Sequence, residues 1–337
     1  MPLLLDTVRS DPAGDLRGRN CLTIGLVNNM PDAACEATER QFQKLLRAAS
    51  RDVVVRLKLF SVPSVPRSET MRSDLAGRYR DLAELWSTPL DGLIVTGTEP
   101  VAADLKNEPY WNAICDLVDW ACHDTISAVW SCLAAHAVVL YADGIARQRL
   151  PAKLSGVFDC DVTGAHPLLG DMATPLRVPH SRLNDLPEAA LATGGYRLLT
   201  RSGTAGADAF VKEPDGGSLF VFFQGHPEYD ADTLLREYRR DVGRYLRGEM
   251  SSYPQAPQNY FNSAASFLAD DFRTRAAGEG RSALLGEFPM QGLAAGVDNG
   301  WHDGAIGIYR NWIDYLKEQK QDRRVSTPVE HARRASA

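Results

Sequence analysis

The chain has 337 residues, with 43 Asp and Glu against 37 Lys and Arg for a net charge of −6, and is 44% hydrophobic. That balance argues against nucleic acid as a partner and leaves enough apolar material for one large α/β domain or two small ones. No apolar run reaches the roughly 20 residues of a membrane span. The start MPLLLDTVRSD is unlike a secretory signal and the six cysteines contain no CxxC pair, so a cytoplasmic protein with reduced thiols is expected.

Residues 1–20 read as an N-terminal extension ahead of a single α/β domain over 21–318. The run LTIGLVNN at 22–29 predicts a buried strand ending in polar residues. Thr38-x-x-Gln41 resembles a capping box, and Phe42, Leu45, Leu46 and Ala49 follow at helical spacing, which predicts a helix over 38–49. A second strand is expected at 53–60 and a third at 92–96, ending at Gly97. Trp111, Ile114, Val118 and Ala121 mark the next helix. The strand 125–130 (TISAVW) then runs into the turn Ser131-Cys132-Leu133, and the helical LAAHAVVLYADG leaves it. Strands alternating with helices predict a doubly wound, mostly parallel sheet, in which ligands bind beyond the carboxyl ends of the strands. Asn29, Gly97, Cys132 and His226 all fall at such ends.

The middle of the chain is different. Short strands are expected at 154–162, 196–202, 209–213 and 218–223, the last two separated by Pro-Asp-Gly-Gly, so the sheet should acquire antiparallel strands there. Residues 231–247 return to helix with Leu234, Tyr238, Val242 and Tyr245 on one side. The stretch 250–304 is weakly periodic and reads as an atypical insertion, a lid, a dimer arm or a partly disordered segment, which leaves a homodimer open. A final helix is predicted over 306–317 with Trp312 and Leu316, followed by a disordered basic tail at 319–337.

A cysteine on a strand-to-helix turn is exposed beside the positive end of the helix, an environment that suits a thiolate nucleophile. Roughly ninety residues later the run SLFVFF ends in Gln-Gly-His226-Pro-Glu228-Tyr, where an imidazole and a carboxylate two residues apart can act as base and orienter. His136, four residues after Cys132 on the same helix, should point along the helix flank and is the weaker base. A Cys–His–Glu set suits acyl transfer through an enzyme thioester, with backbone N–H groups near Leu133 and near Gly97 and Thr98 as the oxyanion hole. On the residues alone, amide hydrolysis fits equally well. No metal ligand set is expected, and no resident cofactor.

The chain resembles the homoserine O-succinyltransferase family, which has a class I glutamine amidotransferase-like fold. The carriers are NNMP at 28–31, ERQFQKLL at 39–46, DGLIVTG at 91–97, YW at 110–111, KLSGV at 153–157, PHSR at 179–182 and GHPEYDADTL at 225–234, continuing to Glu237 and Arg240-Asp241. The resemblance covers roughly 22–248 and a short helix near 306–317. It implies an acyl-CoA-dependent O-acyltransferase, by default moving succinyl from its CoA cosubstrate to L-homoserine, with small molecules as the only ligands and neither nucleic acid nor membrane as partner. It places the catalytic residues on Cys132, His226 and Glu228 and the substrate contacts on Lys153, Ser181 and Arg240. Glu237 and Arg240 share a helix face, where an arginine can grip a carboxylate and a carboxylate can hold an ammonium. Asp230 and Asp241 read as helix-end or surface carboxylates.

Three departures from the family pattern stand out. Asp32-Ala33-Ala34-Cys35 replaces a lysine pair after Met30-Pro31, so a positive charge there is missing or supplied elsewhere. The position associated with acyl choice falls on Val101, which matches neither the glycine of succinyl enzymes nor the glutamate of acetyl enzymes. The 250–300 segment is longer than the family's. The same chemistry on L-serine, or with acetyl-CoA, is therefore an alternative. A glutamine amidotransferase-like hydrolase is a second, although the flanks Trp130-Ser131 and Leu133-Ala134 lack the Gly-x-Cys-x-Gly elbow of that class. A binding protein without turnover is a third.

Overall fold

The computed structural model describes residues 3–8, 20–170, 172–215, 217–277 and 282–334. In chain order, β1 (Leu3–Asp6), β2 (Cys21–Val27), α1 (Asp32–Ala49) and β3 (Val54–Ser61) open the fold. Then come α2 (Glu69–Ala76), β4 (Arg80–Asp81), α3 (Leu82–Leu85), β5 (Gly92–Val95), α4 (Trp111–Asp124), β6 (Ser127–Ser131) and α5 (Leu133–Asp143). The middle holds β7 (Gln148–Val162), β8 (Leu176–Asp185), α6 (Glu188–Thr193), β9 (Arg197–Leu198), β10 (Thr200–Ser202), β11 (Gly206–Ala207), β12 (Ala209–Lys212) and β13 (Leu219–Phe223). It ends with α7 (Thr233–Leu246), α8 (Ser263–Ala276), α9 (Met290–Ala294) and α10 (His302–Arg334).

The main sheet runs β1-β3-β2-β5-β6-β13-β12-β9, with β4 beside β3. Strands β1 to β6 and β13 pair in parallel, while β12 is antiparallel to β13 and to β9. Apolar residues are buried on both faces. Leu22, Ile24 and Leu26 pack with α1 and α10, while Val27, Leu93, Val95 and Trp130 pack with α4 and α5. This is the doubly wound, mostly parallel α/β arrangement that the strand–helix alternation predicts. No helix among the described residues is long and apolar enough to cross a membrane.

Several boundaries differ from expectation. α1 starts at Asp32 because Pro31, with its fixed φ, occupies the N-cap. Thr38 and Gln41 are therefore buried inside the helix, and Gln41 Nε2 donates to Thr233 Oγ1 (2.6 Å) instead of capping anything. The supposed N-terminal extension opens with β1, paired along β3. The antiparallel strands of the middle divide: β7, β8, β10 and β11 form a separate four-stranded sheet, because β7 is long and turns back on β8. The stretch 319–334, expected as a disordered tail, continues α10, anchored where Lys320 Nζ donates to Asp91 Oδ2 (2.6 Å) and the Cys21 carbonyl (2.9 Å). Residues 335–337 lie outside the described residues. Finally, the described residues of 250–304 form helix and turn and pack through Tyr260, Phe272, Phe288, Leu293 and Trp301 on Leu234, Leu235, Tyr238 and Val242 of α7.

Candidate active site

Because β2, β5, β6 and β13 are parallel neighbours, their carboxyl ends deliver Asn29, Gly97, Cys132 and His226 along one edge of the sheet. Ser131 ends β6 opposite Phe223, and the Cys132 N–H donates to the Phe223 carbonyl at 2.7 Å. The next residue begins α5, and Cys132 itself adopts φ 52°, ψ −111°. A non-glycine residue at positive φ is strained. Here the strain turns the side chain out of the sheet at the amino end of a helix, whose first N–H groups lack intrahelical partners.

His226 lies within hydrogen-bonding reach of the Cys132 thiol. Its Nδ1 meets Glu228 Oε1 at 2.9 Å, so the carboxylate fixes the ring while the other edge addresses sulfur. Burial opposes the charged ring, but Cys132 and Glu228 outweigh it and hold the His226 pKa well above the usual histidine range. Tyr229 stacks on the imidazole at 4.2 Å, interplanar angle 17°. Cys132, His226 and Glu228, singled out from sequence, are thus one constellation.

Gly97 touches the first residue of α5. A Cβ placed there would lie 2.8 Å from Leu133 N and 2.8 Å from Leu133 Cβ, so only glycine lets the two backbones approach this closely. Asn29, Thr96, Gly97, Thr98, Tyr110 and Leu133 line a narrow crevice at this point. The cation beside the NNMP turn is Arg67, buried and committed to carbonyls: Nη2 to Asn28 (2.8 Å), Nε to Met30 (3.1 Å) and Nη1 to Val62 (3.3 Å). Asp32, where a lysine was expected, accepts instead from the Ser68 N–H.

The substrate-contact residues also converge. Lys153 on β7 donates to Asp241 Oδ2 (2.7 Å) and Glu237 Oε2 (3.2 Å). Ser181 on β8 donates to the same Glu237 oxygen, and Tyr229 OH donates to Glu237 Oε1 (2.7 Å). Burial would raise the Glu237 pKa, yet Lys153, Ser181 and Tyr229 bring it below the usual carboxylate value. Arg240 Nε donates to Asp241 Oδ1 (3.1 Å) and leaves its side chain 47% exposed. The glycine of KLSGV is explained by a crossing chain: a Cβ on Gly156 would lie 2.4 Å from the Gln258 carbonyl oxygen.

One reading needs correction and two residues went unseen. Asp241 is buried, 6% exposed, and is the shared acceptor of Lys153 and Arg240 rather than a surface carboxylate. Val101 is 89% exposed. Asp230 does sit at the surface, paired with Lys44 at 2.9 Å. Tyr229 was passed over although it follows His-Pro-Glu directly, and Arg67 lacks any motif. His136 is buried, its Nε2 2.9 Å from Gln224 Oε1, and burial lowers its pKa to about 3, which keeps it neutral and outside the reacting set. Cys160, His180 and Asp208 are the only described His, Cys, Asp or Glu residues grouped closely enough to hold a metal, with ligand atoms within 4.8 Å of one another.

A sequence profile described as Homoserine O-succinyltransferase matches residues 8–323. Homoserine O-succinyltransferase of Rhodopseudomonas palustris is 51% identical over 298 residues, covering 88% of this chain and 89% of the relative. That of Bradyrhizobium japonicum is 48% identical over 308 residues, covering 90% and 94%. Among solved structures, a glutamine amidotransferase from Thermotoga maritima aligns with 88% of this chain and 98% of its own, at 12% identity and a TM-score of 0.46.

Proposed function

The chain belongs to the homoserine O-succinyltransferase family, and from that premise we propose that Cys132 carries a succinyl group from coenzyme A to the hydroxyl of L-homoserine. The observation that supports this best is His226 held between Cys132 and Glu228, with Tyr229 linking its ring face to the Lys153–Glu237–Arg240 cluster. One side of the histidine addresses a nucleophile and the other leads to groups that suit an amino acid.

His226 takes the proton of the Cys132 thiol, and the sulfur attacks the thioester carbonyl of succinyl-CoA. Negative charge develops on the carbonyl oxygen, and the backbone N–H groups at Leu133 and at Gly97–Thr98 are the donors available to it. Collapse breaks the bond to the CoA sulfur, which takes a proton from His226 and leaves. The homoserine hydroxyl then gives its proton to His226 and attacks the enzyme thioester, and the second collapse releases O-succinylhomoserine and frees Cys132. The exchange between thioesters is nearly balanced and the step to an oxygen ester runs downhill, so the cycle needs no other energy source. Arg240 receives the substrate carboxylate and Glu237, with Asp241 beside it, the ammonium.

A panel of donors and acceptors tests the reading. Succinyl-CoA with L-homoserine should give the highest kcat/KM among combinations of succinyl-CoA or acetyl-CoA with L-homoserine or L-serine, and no ammonia should be released from glutamine. Preference for acetyl-CoA or serine, or glutaminase activity, would overturn the substrate assignment.

A further inference from the structure

The turn Gln224-Gly225-His226 is held from inside the protein by groups that the reaction does not touch. Asp208 Oδ1 accepts the Gly225 N–H at 3.2 Å, the Asp208 carbonyl accepts the Gln224 N–H at 2.9 Å, and the Pro179 carbonyl accepts the His226 N–H at 2.8 Å. The other Asp208 oxygen accepts from Thr200 Oγ1 at 2.8 Å. His180 Nε2 faces Asp208 Oδ1 at 3.3 Å, and its Nδ1 lies 3.4 Å from Arg182 Nε. A Cβ on Gly225 would fall 2.6 Å from Asp208 Oδ1, 3.0 Å from His180 Nε2 and 2.5 Å from Val178 Cγ1, so Asp208 and His180 occupy the place of the missing side chain. Both are essentially inaccessible to solvent.

Such a group is an expensive way to fill a core. Apolar side chains of the same size would serve stability as well, whereas the hydrogen bonds that Asp208 accepts from Gly225 and Thr200 fix one geometry of the turn and resist others. Three consecutive backbone N–H groups, ending at the catalytic histidine, are pinned by it or by the adjacent strand. Burial keeps His180 neutral, which allows Nδ1 to accept from Arg182 Nε, while Nε2 packs 3.3 Å from Asp208 Oδ1 without a hydrogen bond. Cys160 Sγ donates to the Phe158 carbonyl (3.7 Å), so it is engaged with its own strand.

We propose that Asp208, oriented by His180, is a positioning residue for the reaction: it fixes the Gly225 amide and thereby sets the His226 imidazole against Cys132. This rests on Cys132 and His226 being the reacting pair, not on the identity of the acyl donor. The groups facing His226 electrostatically include Cys132 on the turn into α5, Glu228, Tyr229, Glu237 on α7 and His180 on β8.

The test follows iodoacetamide alkylation of Cys132 from about pH 5 to about pH 9 in the full-length protein, alongside steady-state kinetics. Asp208→Ala should slow alkylation near pH 6 by about tenfold and lower kcat by about 100-fold, leaving the homoserine KM within about threefold. Asp208→Asn keeps an acceptor for the Gly225 N–H and should stay within about fivefold of wild type. Should Asp208→Ala fail to fold, His180→Leu, which removes only the orienting imidazole, should slow low-pH alkylation by about threefold. An unmoved alkylation profile in whichever of these two folds, or Asp208→Asn as impaired as Asp208→Ala, overturns the proposal. So does stoichiometric zinc in the wild type that is lost in Asp208→Ala, since the cluster with Cys160 would then be a metal centre. Loss of alkylation in a protein that never accepts succinyl from succinyl-CoA would sink the proposed function and leave this inference standing.

Discussion

Cys132 shows how much one residue's surroundings can reveal. The apolar run before it and the helical run after it place it on a turn, and the turn's exposure follows from those neighbours alone. Its positive φ is a tertiary consequence, fixed where the Cys132 N–H reaches the Phe223 carbonyl of the next strand. Asp241 shows the opposite: nothing in a helical carboxylate says that Lys153, 88 positions earlier, will reach it. Arg240, half open beside it, is the residue we propose for an incoming carboxylate. Arg240→Ala should lower homoserine kcat/KM by about 100-fold, on the order of 3 kcal/mol, while succinyl loading of Cys132 changes by less than about threefold. Equal losses in both half-reactions, measured by rapid quench, would remove Arg240 from the acceptor site. His136 carries a pH prediction. Its folded pKa of about 3 lies below the unfolded 6.5, so the unfolded state binds the proton first and stability falls as pH drops from 6.5 toward 3. His136→Gln should flatten this dependence by on the order of 2 kcal/mol at pH 5, read by urea denaturation across that range. A slope identical to wild type would show that His136 does not titrate on unfolding.

At the scale of elements, α7 carries Glu237, Arg240 and Asp241 on one side and rests Leu234, Leu235, Tyr238 and Val242 on the 250–304 segment from the other. The periodicity of α7 is legible in sequence; its partner is not, because Tyr260, Phe272, Phe288 and Trp301 are scattered among small and polar residues without a shared period. Trp301 Nε1 donates to the Tyr229 carbonyl (2.9 Å) and Tyr260 OH to the Ala231 carbonyl (2.5 Å), so this segment also steadies the chain just after His226. Phe272, 1% exposed at the centre of the packing, should lose about 3–5 kcal/mol on change to alanine. The homoserine KM should rise with that loss, because the residues proposed to hold the acceptor ride on α7. A destabilised variant with unchanged homoserine KM would separate the segment from the site.

At the scale of the molecule, the strand order β2-β5-β6-β13 gathers the nucleophile, its base and the backbone donors, and the second sheet brings Lys153 and Ser181 to meet α7. Repeated strand–helix alternation made the parallel sheet readable, and with it the convergence of Asn29, Gly97, Cys132 and His226. The separate sheet was not readable, since β7 and β8 pair across a bulge between Arg149 and Leu154 and Pro179 inside β8 reads against a strand. In the proposed reaction, one edge of one sheet offers a single sulfur to two substrates in succession. Intact-protein mass spectrometry after mixing with succinyl-CoA alone asks whether it does. Wild type should gain the mass of one succinyl group, located on Cys132 and discharged when L-homoserine is added, while Cys132→Ala gains nothing. An equal adduct on Cys132→Ala, or turnover of both substrates by that variant, would contradict the account.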